Sequence, residues 1–493
     1  MKKNKDLRDF LNKARQAGPD YYLEAKKPVD PDLVPGILQQ KLAKQGRFPV
    51  FFCPEINGSK IPMVSNLFGS YELLAMALGI DPSQTGTNVD EATFFPYSDR
   101  GEQRVDKAQL FQEFRKRLAN GKPVEEVPAS EAPVKEVVLK GKDVDLGILP
   151  ITRHGKEDSE KYITIGCIVA KDPDTGIANV GVYRHEIKGK DKLGIGVNPA
   201  HHMGYIGRRC AELGKPMEVA IFIGHHPSVI MASQAKGGLD LNEMELMGGL
   251  LGEPLLVTCG ETVDLPVPAW AEIVIEGVVD TSKIYEDGPF AEYTGYYGEK
   301  GERAVYLTNV TAITMRKDAI YHDLVPNHPE LNLCTVLFYE SSAYDVVKRI
   351  VPTVKAVHYP LSGTCALNVY VSIRKRIQGE GKLAGIAALA SDFTTNIAVI
   401  VDEDIDVYNE QEVMWAIATR VFAHRDISII PGVTGSDLYP ASYSEQLDLP
   451  PGHVSTKVII DATRPISGVF SRRITPDEDR WKSVKLSDYV DLP

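Results

Sequence analysis

The residues best suited to chemistry lie in one acidic segment, Glu286–Tyr297, whose sequence is EDGPFAEYTGYY. Pro289 fixes one backbone dihedral angle and Gly288 permits a tight bend, so the flanking acids are predicted to lie on a stiff loop. Burial of Glu292 beside Phe290 would disfavour its charged form and raise its pKa, which a carboxylic acid needs in order to donate a proton near neutral pH. The segment predicts proton transfer, and its alternative interpretation is an acidic surface turn.

A cationic partner for these acids is offered by Arg184, the last residue of the strand-like hexamer NVGVYR. Because side chains alternate along a strand, Arg184 is predicted to share a face with Val180 and Val182. An arginine on such a face either extends to solvent at the strand end or binds an anion. The anion would be a substrate carboxylate or an acid such as Glu292, either of which suits a guanidinium group.

Histidines are concentrated in one part of the chain, where His201, His202, His225 and His226 supply four of the eleven. Imidazole binds borderline metals, and an added carboxylate from Glu253 would suit Mn²⁺ or Mg²⁺. The H-E-x-x-H spacing of zinc hydrolases is absent. The cluster predicts a divalent-metal site, with a strand end and a turn acid as the simpler interpretation. One functional alternative is therefore a flavin-independent divalent-metal hydrolase or lyase.

Phosphate-binding motifs of the common kinds are missing. The sequence contains neither G-x-x-x-x-G-K-[ST] nor a G-x-G-x-x-G between a strand and a helix, so nucleotide hydrolysis and Rossmann-type hydride transfer lose support. The segment Gly379–Lys382 precedes a predicted helix, where backbone N–H groups and a lysine would meet a phosphate. The simpler interpretation of Lys382 is a surface lysine whose charge is solvated.

The composition bounds the partners of the protein. The chain has 493 residues, a formal net charge of −12, 43% hydrophobic and 25% charged residues. The acidic balance argues against nucleic acid or an anionic membrane as the main partner. Six cysteines are scattered without a C-x-x-C pair, which predicts reduced, mostly buried thiols and a cytoplasmic location. No apolar run approaches the ~20 residues that span a bilayer.

The pattern along the chain predicts three domains of an α/β plus β protein. Residues 1–118 alternate helix-like and strand-like segments, and apolar residues at helical spacing in Leu7–Ala14 predict a first helix. Residues 119–318 open with a Pro- and Glu-rich linker at 120–135 and continue as short β-rich runs between Gly and Pro turns, as in a barrel or sandwich. Residues 319–493 return to an α/β pattern and end in a polar tail.

Several ordered segments together resemble one family. They are Asn179–Arg184, Lys188–Gly194, the His201/His202 pair, Gly252–Glu253, Ala271–Gly277, Asp287–Glu292, Thr294–Tyr297, Val401–Asp404 and Val413–Trp415. The set, spread over about 135 to 470, resembles the UbiD-like family of reversible decarboxylases that use prenylated FMN. The resemblance implies that 119–318 is a split β-barrel flavin-binding domain and that 319–493 carries oligomerisation.

The resemblance also implies a cofactor site. A divalent metal, Mn²⁺ or Mg²⁺, would be bound by Asn179, Glu253 and one of the two adjacent histidines. Counting back from Gly214 favours His202, whereas counting forward from Arg184 places His201 there equally well. The implied cofactor contacts are Asn179, Val182, Tyr183, Arg184, His201, His202, Met231, Ser233, Glu253 and Lys382. Among them, Met231 and Ser233 belong to a segment that helps to hold K⁺, and Lys382 matches a phosphate-contacting lysine.

The implied catalytic residues are Arg184, Asp287 and Glu292, with Glu292 as the proton donor. The family pattern reads Glu-Gly-Pro-Phe-Gly-Glu, so this chain departs from it at Asp287 and Ala291. Aspartate is one methylene shorter, so either the backbone shifts to bring Asp287 to Arg184 or Glu286 takes the role. The implied reaction is the reversible loss of CO₂ from an aromatic, heteroaromatic or α,β-unsaturated acid.

The resemblance leaves the substrate and the assembly open. The segments Asn327–Pro329 and Pro431–Thr434, expected to be loops, are candidates for contacts with the substrate. The implied partners are a carboxylic acid, CO₂, a flavin prenyltransferase that supplies the cofactor, and further copies of this chain in a homodimer or homohexamer. The non-enzymatic alternative is a flavin-binding or assembly subunit.

Overall fold

The structure is a computed structural model that describes residues 2–81, 106–196, 201–298, 304–436, 438–443, 454–474 and 477–491. The described chain forms two compact units. The first consists mainly of the N-terminal residues and Leu110–Tyr339, and the second mainly of Glu340–Ser436 and the C-terminal residues.

The first unit opens with helices and short strands. They are α1 (Leu7–Ala17), β1 (Tyr22–Glu24), α2 (Val34–Ala43), β2 (Val50–Cys53), β3 (Met63–Ser65), α3 (Tyr71–Ala77), α4 (Lys107–Leu118) and β4 (Glu125–Glu126). Helix α1 starts in a capping box, in which Asp6 Oδ1 accepts from Asp9 N and Asp9 Oδ2 accepts from Asp6 N, both at 3.1 Å. Its buried residues are Leu7, Phe10, Leu11 and Ala14, so the predicted first helix is confirmed.

The middle of the chain supplies most of the strands. The elements are β5 (Val137–Lys140), β6 (Tyr162–Lys171), β7 (Ala178–Gly189), β8 (Lys192–Gly196), α5 (His202–Glu212), β9 (Met217–Ile223), α6 (Pro227–Ala232), α7 (Glu243–Leu251), β10 (Leu256–Cys259), β11 (Pro266–Pro268), β12 (Ile273–Glu286), β13 (Phe290–Ala291), β14 (Tyr297–Gly298), β15 (Ala304–Met315) and β16 (Tyr321–His322). Strands β12, β9, β6, β7, β8 and β15 pair in that order, and β15 pairs back to β12. The six antiparallel strands therefore close a barrel, which confirms the predicted fold class.

The barrel closes around branched apolar side chains. Ile221 on β9 lies opposite Ile168 on β6 and Ile275 on β12. All three are at most 1% exposed and belong to one core cluster. Burial of each such side chain stabilises the fold by roughly 1.5–3 kcal/mol. This rigid core fixes β6, β7 and β12, from which the candidate site is built.

The stretch 120–135, predicted as a linker, contains a short strand and two 3₁₀ turns. Its residues Glu125 and Glu126 form β4, which pairs in parallel with β10, and β11 completes that sheet. Two 3₁₀ turns follow, at Ala129–Glu131 and Pro133–Lys135. A segment without hydrophobic periodicity can still satisfy its backbone hydrogen-bonding groups against a neighbouring strand, which composition alone does not reveal.

The N-terminal sheet has the order β1-β2-β3-β16. Strand β16 pairs in parallel with β3, through Tyr321 with Met63 and His322 with Val64. In the chain β16 lies just beyond the predicted boundary at 318/319. The structure thus joins residues from both sides of that boundary in one sheet.

The remaining elements are α8 (Pro329–Ile350), β17 (Val354–His358), β18 (Asn368–Ile373), α9 (Glu380–Ala390), β19 (Ile397–Asp402), α10 (Glu410–Arg420), α11 (Ala423–Asp426), β20 (Ile427–Thr434), β21 (Val454–Asp461) and α12 (Glu478–Ser483). In the second unit β18, β19 and β21 run parallel, with β17 and β20 antiparallel at the edges. Helix α9 packs closely on β21, since a Cβ at Gly385 would lie 2.4 Å from Ile459 Cγ2. The α/β pattern predicted for this region is confirmed.

Two smaller predictions can be compared directly. Pro431–Thr434 is not a loop, because β20 continues through it with an irregular register between Ile430 and Val433. All six cysteines are free and five are buried, as predicted. Among the helices in the described ranges, none combines the length and apolar character needed to cross a membrane.

Candidate active site

The centre of the candidate site is Arg184, which contacts two carboxylates. Its Nε donates to Asp287 Oδ2 at 3.0 Å, and its Nη2 donates to the same oxygen. Its Nη1 donates to Glu292 Oε1. The exposed fractions of the three side chains are 11% for Arg184, 1% for Asp287 and 9% for Glu292. The structure therefore brings the three predicted catalytic residues together in a site with little access to water.

The acidic loop starts where β12 ends and turns at Gly288, whose φ of +75° lies in the left-handed region that favours glycine. Strands β13 and β14 pair through Phe290 with Gly298 and Ala291 with Tyr297, which fixes the chain on both sides of Glu292. The stiff loop expected from the sequence is thus a short hairpin. Asp287 accepts from Arg184, whereas the neighbouring Glu286 is exposed.

Aromatic rings form one wall of the site. The guanidinium carbon of Arg184 lies 4.7 Å from the ring centroid of Phe290, a cation–π distance. The Phe290 ring in turn packs on Tyr162, with centroids 4.5 Å apart. Burial tends to raise the pKa of Asp287, but the adjacent Arg184 charge outweighs it and holds this pKa below its ordinary value. Asp287 is therefore ionised at rest and anchors Arg184.

Asp158, in the segment between β5 and β6, is hydrogen-bonded to the hairpin. Its Oδ1 accepts from Ala291 N at 2.9 Å, and its Oδ2 accepts from Gly155 N at 2.7 Å and His154 N at 3.2 Å. The neighbouring Ser159 N donates to Pro289 O at 2.9 Å. Asp158 was missed from the sequence, because no local pattern indicates that a turn acid caps a hairpin more than 100 residues away.

A second set of polar groups lies next to the first. Glu186 Oε1 lies 3.0 Å from Ser159 Oγ, which lies 2.8 Å from the Tyr162 hydroxyl oxygen. Tyr162 also donates to Asp287 Oδ1 at 3.2 Å. Glu186 was missed as well, although its position two residues after Arg184 on a strand places both side chains on one face.

The candidate metal ligands are only partly those predicted. Asn179 Nδ2 lies 3.2 Å from His202 Nδ1 and donates to Glu243 Oε1 at 2.8 Å. Glu243 Oε2 accepts from Val180 N at 3.2 Å. Burial raises the pKa of Glu243 to about 7. The structure thus brings Asn179 and His202 together with Glu243, a residue that the sequence interpretation had not selected.

Glu253, the predicted carboxylate ligand, does not lie beside Asn179 and His202. Its Oε1 accepts from Asn4 Nδ2 at 3.1 Å and from Lys5 N at 2.7 Å. Glu243 begins helix α7 and Glu253 follows its end, so about 14 Å of helix at 1.5 Å per residue separates them. His201, the alternative ligand, precedes α5 and packs edge-on against Tyr183, with ring centroids 6.3 Å apart.

The other predicted cofactor residues lie on three elements. Val182 and Tyr183 are on β7 beside Arg184, and burial raises the pKa of Tyr183, which stays protonated. Met231 is buried on α6, and the buried Ser233 follows it and donates to Ile230 O at 2.6 Å. Lys382 lies on α9 in the second unit.

The histidines His225 and His226 do not form a metal cluster with their neighbours. His225 Nδ1 accepts from His226 N at 2.8 Å, and His226 Nδ1 accepts from Ser228 N at 3.3 Å, so both serve the start of α6. Burial lowers the pKa of His225 to about 3. Throughout the described residues, no group of three or more His, Cys, Asp or Glu side chains is placed to hold a metal ion.

Comparison with known families identifies the class. The chain matches three domains of 3-octaprenyl-4-hydroxybenzoate carboxy-lyase: the N-terminal domain over residues 18–93, the Rift-related domain over 125–329 and the C-terminal domain over 334–462. The chain belongs to the UbiD family of carboxy-lyases. The family resemblance inferred from the sequence is confirmed.

The chain is also similar to named decarboxylases. The chain is 33% identical to an anhydromevalonate phosphate decarboxylase of Methanosarcina mazei, over 96% of this chain and 99% of the relative. It is 31% identical to a phenolic acid decarboxylase of Sedimentibacter hydroxybenzoicus, over 94% and 92%. Among solved structures, the UbiD-class enzyme HmfF of Pelotomaculum thermopropionicum in complex with FMN is 33% identical with a TM-score of 0.83, over 98% of this chain and 100% of that one.

Proposed function

We propose that this chain is a non-oxidative, reversible decarboxylase that uses prenylated FMN. The observation that carries the proposal is Arg184 bound to both Asp287 and Glu292 in a largely buried site. Two solved forms of HmfF support the cofactor, one in complex with FMN and an evolved dimeric one in complex with prFMN. When bound, prenylated FMN supplies the electron sink for loss of CO₂. The substrate is an aromatic, heteroaromatic or α,β-unsaturated carboxylic acid.

In this proposal each residue has a separate role. Glu292 donates its proton to the carbon that has lost CO₂, and takes it back when the reaction runs toward carboxylation. Arg184 orients Glu292 and stabilises the carboxylate that forms when the proton leaves. Asp287 holds Arg184 in place by accepting hydrogen bonds from its Nε and Nη2. The low exposure of the three side chains limits competition from water.

A divalent metal fits the group formed by Asn179, His202 and Glu243. The ring nitrogen of His202 and a carboxylate oxygen of Glu243 both face the Asn179 amide, so two electron-pair donors converge at one point. Rotation of that amide would add its oxygen, which gives one nitrogen and two oxygen donors, a set that suits Mn²⁺ or Mg²⁺. We therefore place the metal on Asn179, His202 and Glu243, and not on Glu253.

The other cofactor assignments remain proposals from the resemblance. Met231 and Ser233 would lie at a K⁺ site, and Lys382 would contact the cofactor phosphate. A flavin prenyltransferase would supply the cofactor. The second unit exposes large apolar side chains, including Ile429 at 68%, Val469 at 104% and Ile474 at 79%, which supports contacts with other copies of the chain in a homodimer or homohexamer.

The proposal is tested with protein produced together with a flavin prenyltransferase. CO₂ release is measured over a panel of acids that includes the substrates named for relatives, namely anhydromevalonate phosphate, phenolic acids and vanillic acid. At least one acid is expected to be decarboxylated, with a flavin band in the absorption spectrum of the purified protein. Loss of CO₂ at the same rate from protein that lacks the flavin would overturn the proposal.

A further inference from the structure

Outside the acidic hairpin, His154 and Asp323 form a buried pair in the first unit. His154 Nε2 lies 3.0 Å from Asp323 Oδ2. Thr152 Oγ1 donates to Asp323 Oδ1 at 2.7 Å, and it lies 3.1 Å from Nε2 and 3.5 Å from Nδ1 of His154. The side chains of His154 and Asp323 are 2% and 0% exposed. The three side chains therefore form a compact polar group away from water.

The contact between His154 and Asp323 does not depend on the charge of the ring. A carboxylate accepts hydrogen bonds, so His154 Nε2 carries the hydrogen of this contact. Nε2 carries a hydrogen both in the imidazolium and in one neutral tautomer. Burial tends to lower the pKa of His154, but the Asp323 carboxylate and further acids nearby outweigh burial and hold this pKa above its ordinary value. Asp323 thus fixes the orientation of the imidazole ring.

The main chain around Asp323 is bound on two sides. Asp323 follows β16 directly, and its N donates to Val64 O on β3 at 2.8 Å. The next residue, Leu324, donates from its N to Thr164 Oγ1 on β6 at 3.2 Å. The segment is therefore tied both to the N-terminal sheet and to a strand of the barrel, which makes the Asp323 carboxylate a fixed point for His154.

The main chain of His154 connects this pair to the acidic hairpin. His154 N is one of the two N–H groups that donate to Asp158 Oδ2, at 3.2 Å. The other carboxylate oxygen of Asp158, Oδ1, accepts from Ala291 N at 2.9 Å, and Ala291 directly precedes Glu292. Two hydrogen bonds of one carboxylate thus separate His154 from the hairpin strand that carries Glu292. A displacement of His154 would be passed on to this acid.

We propose that His154 and Asp323 are positioning residues for Glu292 that act through Asp158, an inference that rests on the proposed role of Glu292. The pair fixes the direction of the His154 N–H group, and this group orients the Asp158 carboxylate, which holds the hairpin at its main chain. Neither member of the pair contacts the reacting atoms. Their effect is on the placement of the acid, so it belongs in kcat and not in KM.

The kinetic test uses two variants of His154 and a matched control. His154→Leu, which removes the contact with Asp323, is expected to lower kcat per bound flavin about tenfold with KM unchanged. His154→Gln, whose amide nitrogen replaces Nε2 as a donor, should recover kcat to within about threefold of the wild type. The control is His358→Leu in the second unit, where His358 Nδ1 lies 2.8 Å from Glu340 Oε1 in an equally buried pair.

His358→Leu should keep the wild-type kcat, because it breaks a similar pair that has no connection to Asp158. An unchanged kcat in His154→Leu overturns the inference. An equal loss of kcat in His154→Leu and His358→Leu overturns it as well, since that loss would follow from the removal of any buried histidine pair.

The hairpin itself is examined by amide hydrogen exchange in cofactor-free protein. A peptide that covers 289–298 should exchange faster in His154→Leu than in the wild type and in His358→Leu, because Ala291 N is less protected. Asp323→Asn keeps the shape of its side chain, should show the same change to a smaller extent, and provides the comparison if His154→Leu does not fold. Wild-type exchange of this peptide in Asp323→Asn and in folded His154→Leu contradicts the positioning role.

A double variant tests the route through Asp158. If His154 acts through this residue, His154→Leu should lower kcat by less than about twofold when Asp158→Ala is already present, against about tenfold in the wild type. Losses that multiply in the double variant would show that the two residues act independently, and they would overturn the proposed route.

The positioning role and the decarboxylase proposal fail in different ways. If the 289–298 peptide exchanges faster in His154→Leu but no acid is decarboxylated by the wild type, the proposed function is wrong and the support of the hairpin by His154 stands. If the wild type decarboxylates and Glu292→Gln is inactive, while His154→Leu matches the wild type in kcat and exchange, the decarboxylase proposal stands and the positioning role is wrong.

Discussion

Arg184 directs two donors, Nε and Nη2, at a single oxygen of Asp287. The other oxygen of Asp287 is therefore left for the Tyr162 hydroxyl at 3.2 Å. Asp287 therefore reaches Arg184 although its side chain is one methylene shorter than the glutamate of the family pattern. The hairpin carries Asp287 to Arg184, while Glu286 beside it is exposed.

Glu292→Gln is expected to abolish turnover, because the amide keeps the shape of the side chain but has no acidic proton to give. The cofactor should still bind. The measurements are CO₂ release and the flavin absorption band of the purified variant. Glu286→Gln, a change of the same kind at an exposed position of the same loop, should retain wild-type activity. Turnover by Glu292→Gln at the wild-type rate contradicts the assignment of the proton donor.

Glu243→Gln and Glu253→Gln separate the two candidate metal carboxylates. Because only Glu243 contacts Asn179, Glu243→Gln is expected to weaken Mn²⁺ binding at least about tenfold, as loss of an anionic oxygen ligand should. Glu253→Gln should bind Mn²⁺ as the wild type does. Titration of cofactor-free protein with Mn²⁺ by calorimetry measures both. The opposite order of affinities would restore Glu253 as the ligand.

Asp287→Asn is expected to destabilise the first unit at neutral pH by about 1–3 kcal/mol, since Arg184 loses one partner and keeps Glu292. The pKa of Asp287 is lowered in the folded protein. The ionised Asp287 therefore stabilises the folded protein above the pKa that this carboxyl has in the unfolded chain. This contribution is lost as the pH falls through its pKa in the folded protein. Thermal unfolding of both proteins is measured at neutral pH and below pH ~4. The difference in stability between the wild type and Asp287→Asn should be smaller at the acidic pH. A deficit of equal size at both pH values, or one matched by the exposed control Asp143→Asn, would contradict this account.

Asp158→Ala is expected to lower kcat about tenfold to a hundredfold without removing any group that contacts the substrate, because a small displacement of a positioned acid is costly. Three backbone N–H groups lose their acceptor in this variant, including that of Ala291. Asp158→Asn keeps one acceptor oxygen and should fall between the wild type and Asp158→Ala. Steady-state kinetics on the flavin-loaded enzyme provide the test, and equal rates for all three proteins would show that the hairpin is held without Asp158.

The sequence predicted the acid loop, Arg184 and the strands from local patterns, whereas the choice of a barrel over a sandwich came only from the family resemblance. The Gly-Pro turn between acids marks the loop, and alternation of apolar residues marks the strands. Glu186 left the same kind of trace, since it follows Arg184 by two residues, and it was missed only because its partner Ser159 lies on a segment without a motif.

The choice between Glu243 and Glu253 could not be made in this way. The two residues flank the same helix, α7, and either would suit a metal. Which end of α7 meets β7 is decided by tertiary packing, which leaves no periodicity in the chain. The pairing of β16 with β3 was not predicted either, because a strand of two residues is too short for its sequence pattern to assign it to a sheet.

Asp158 holds the hairpin through one main-chain group, the N–H of Ala291, and fixes its own turn by accepting from Gly155 N and His154 N. Ser159 adds a further main-chain contact, to Pro289 O. The same segment also contacts side chains of the hairpin, since Glu157 N donates to the Tyr297 hydroxyl at 3.2 Å. Ala291 faces Gly155, where an added Cβ would lie only 3.0 Å from Ala291 Cβ, so glycine at position 155 leaves the room that alanine at position 291 occupies next to Glu292.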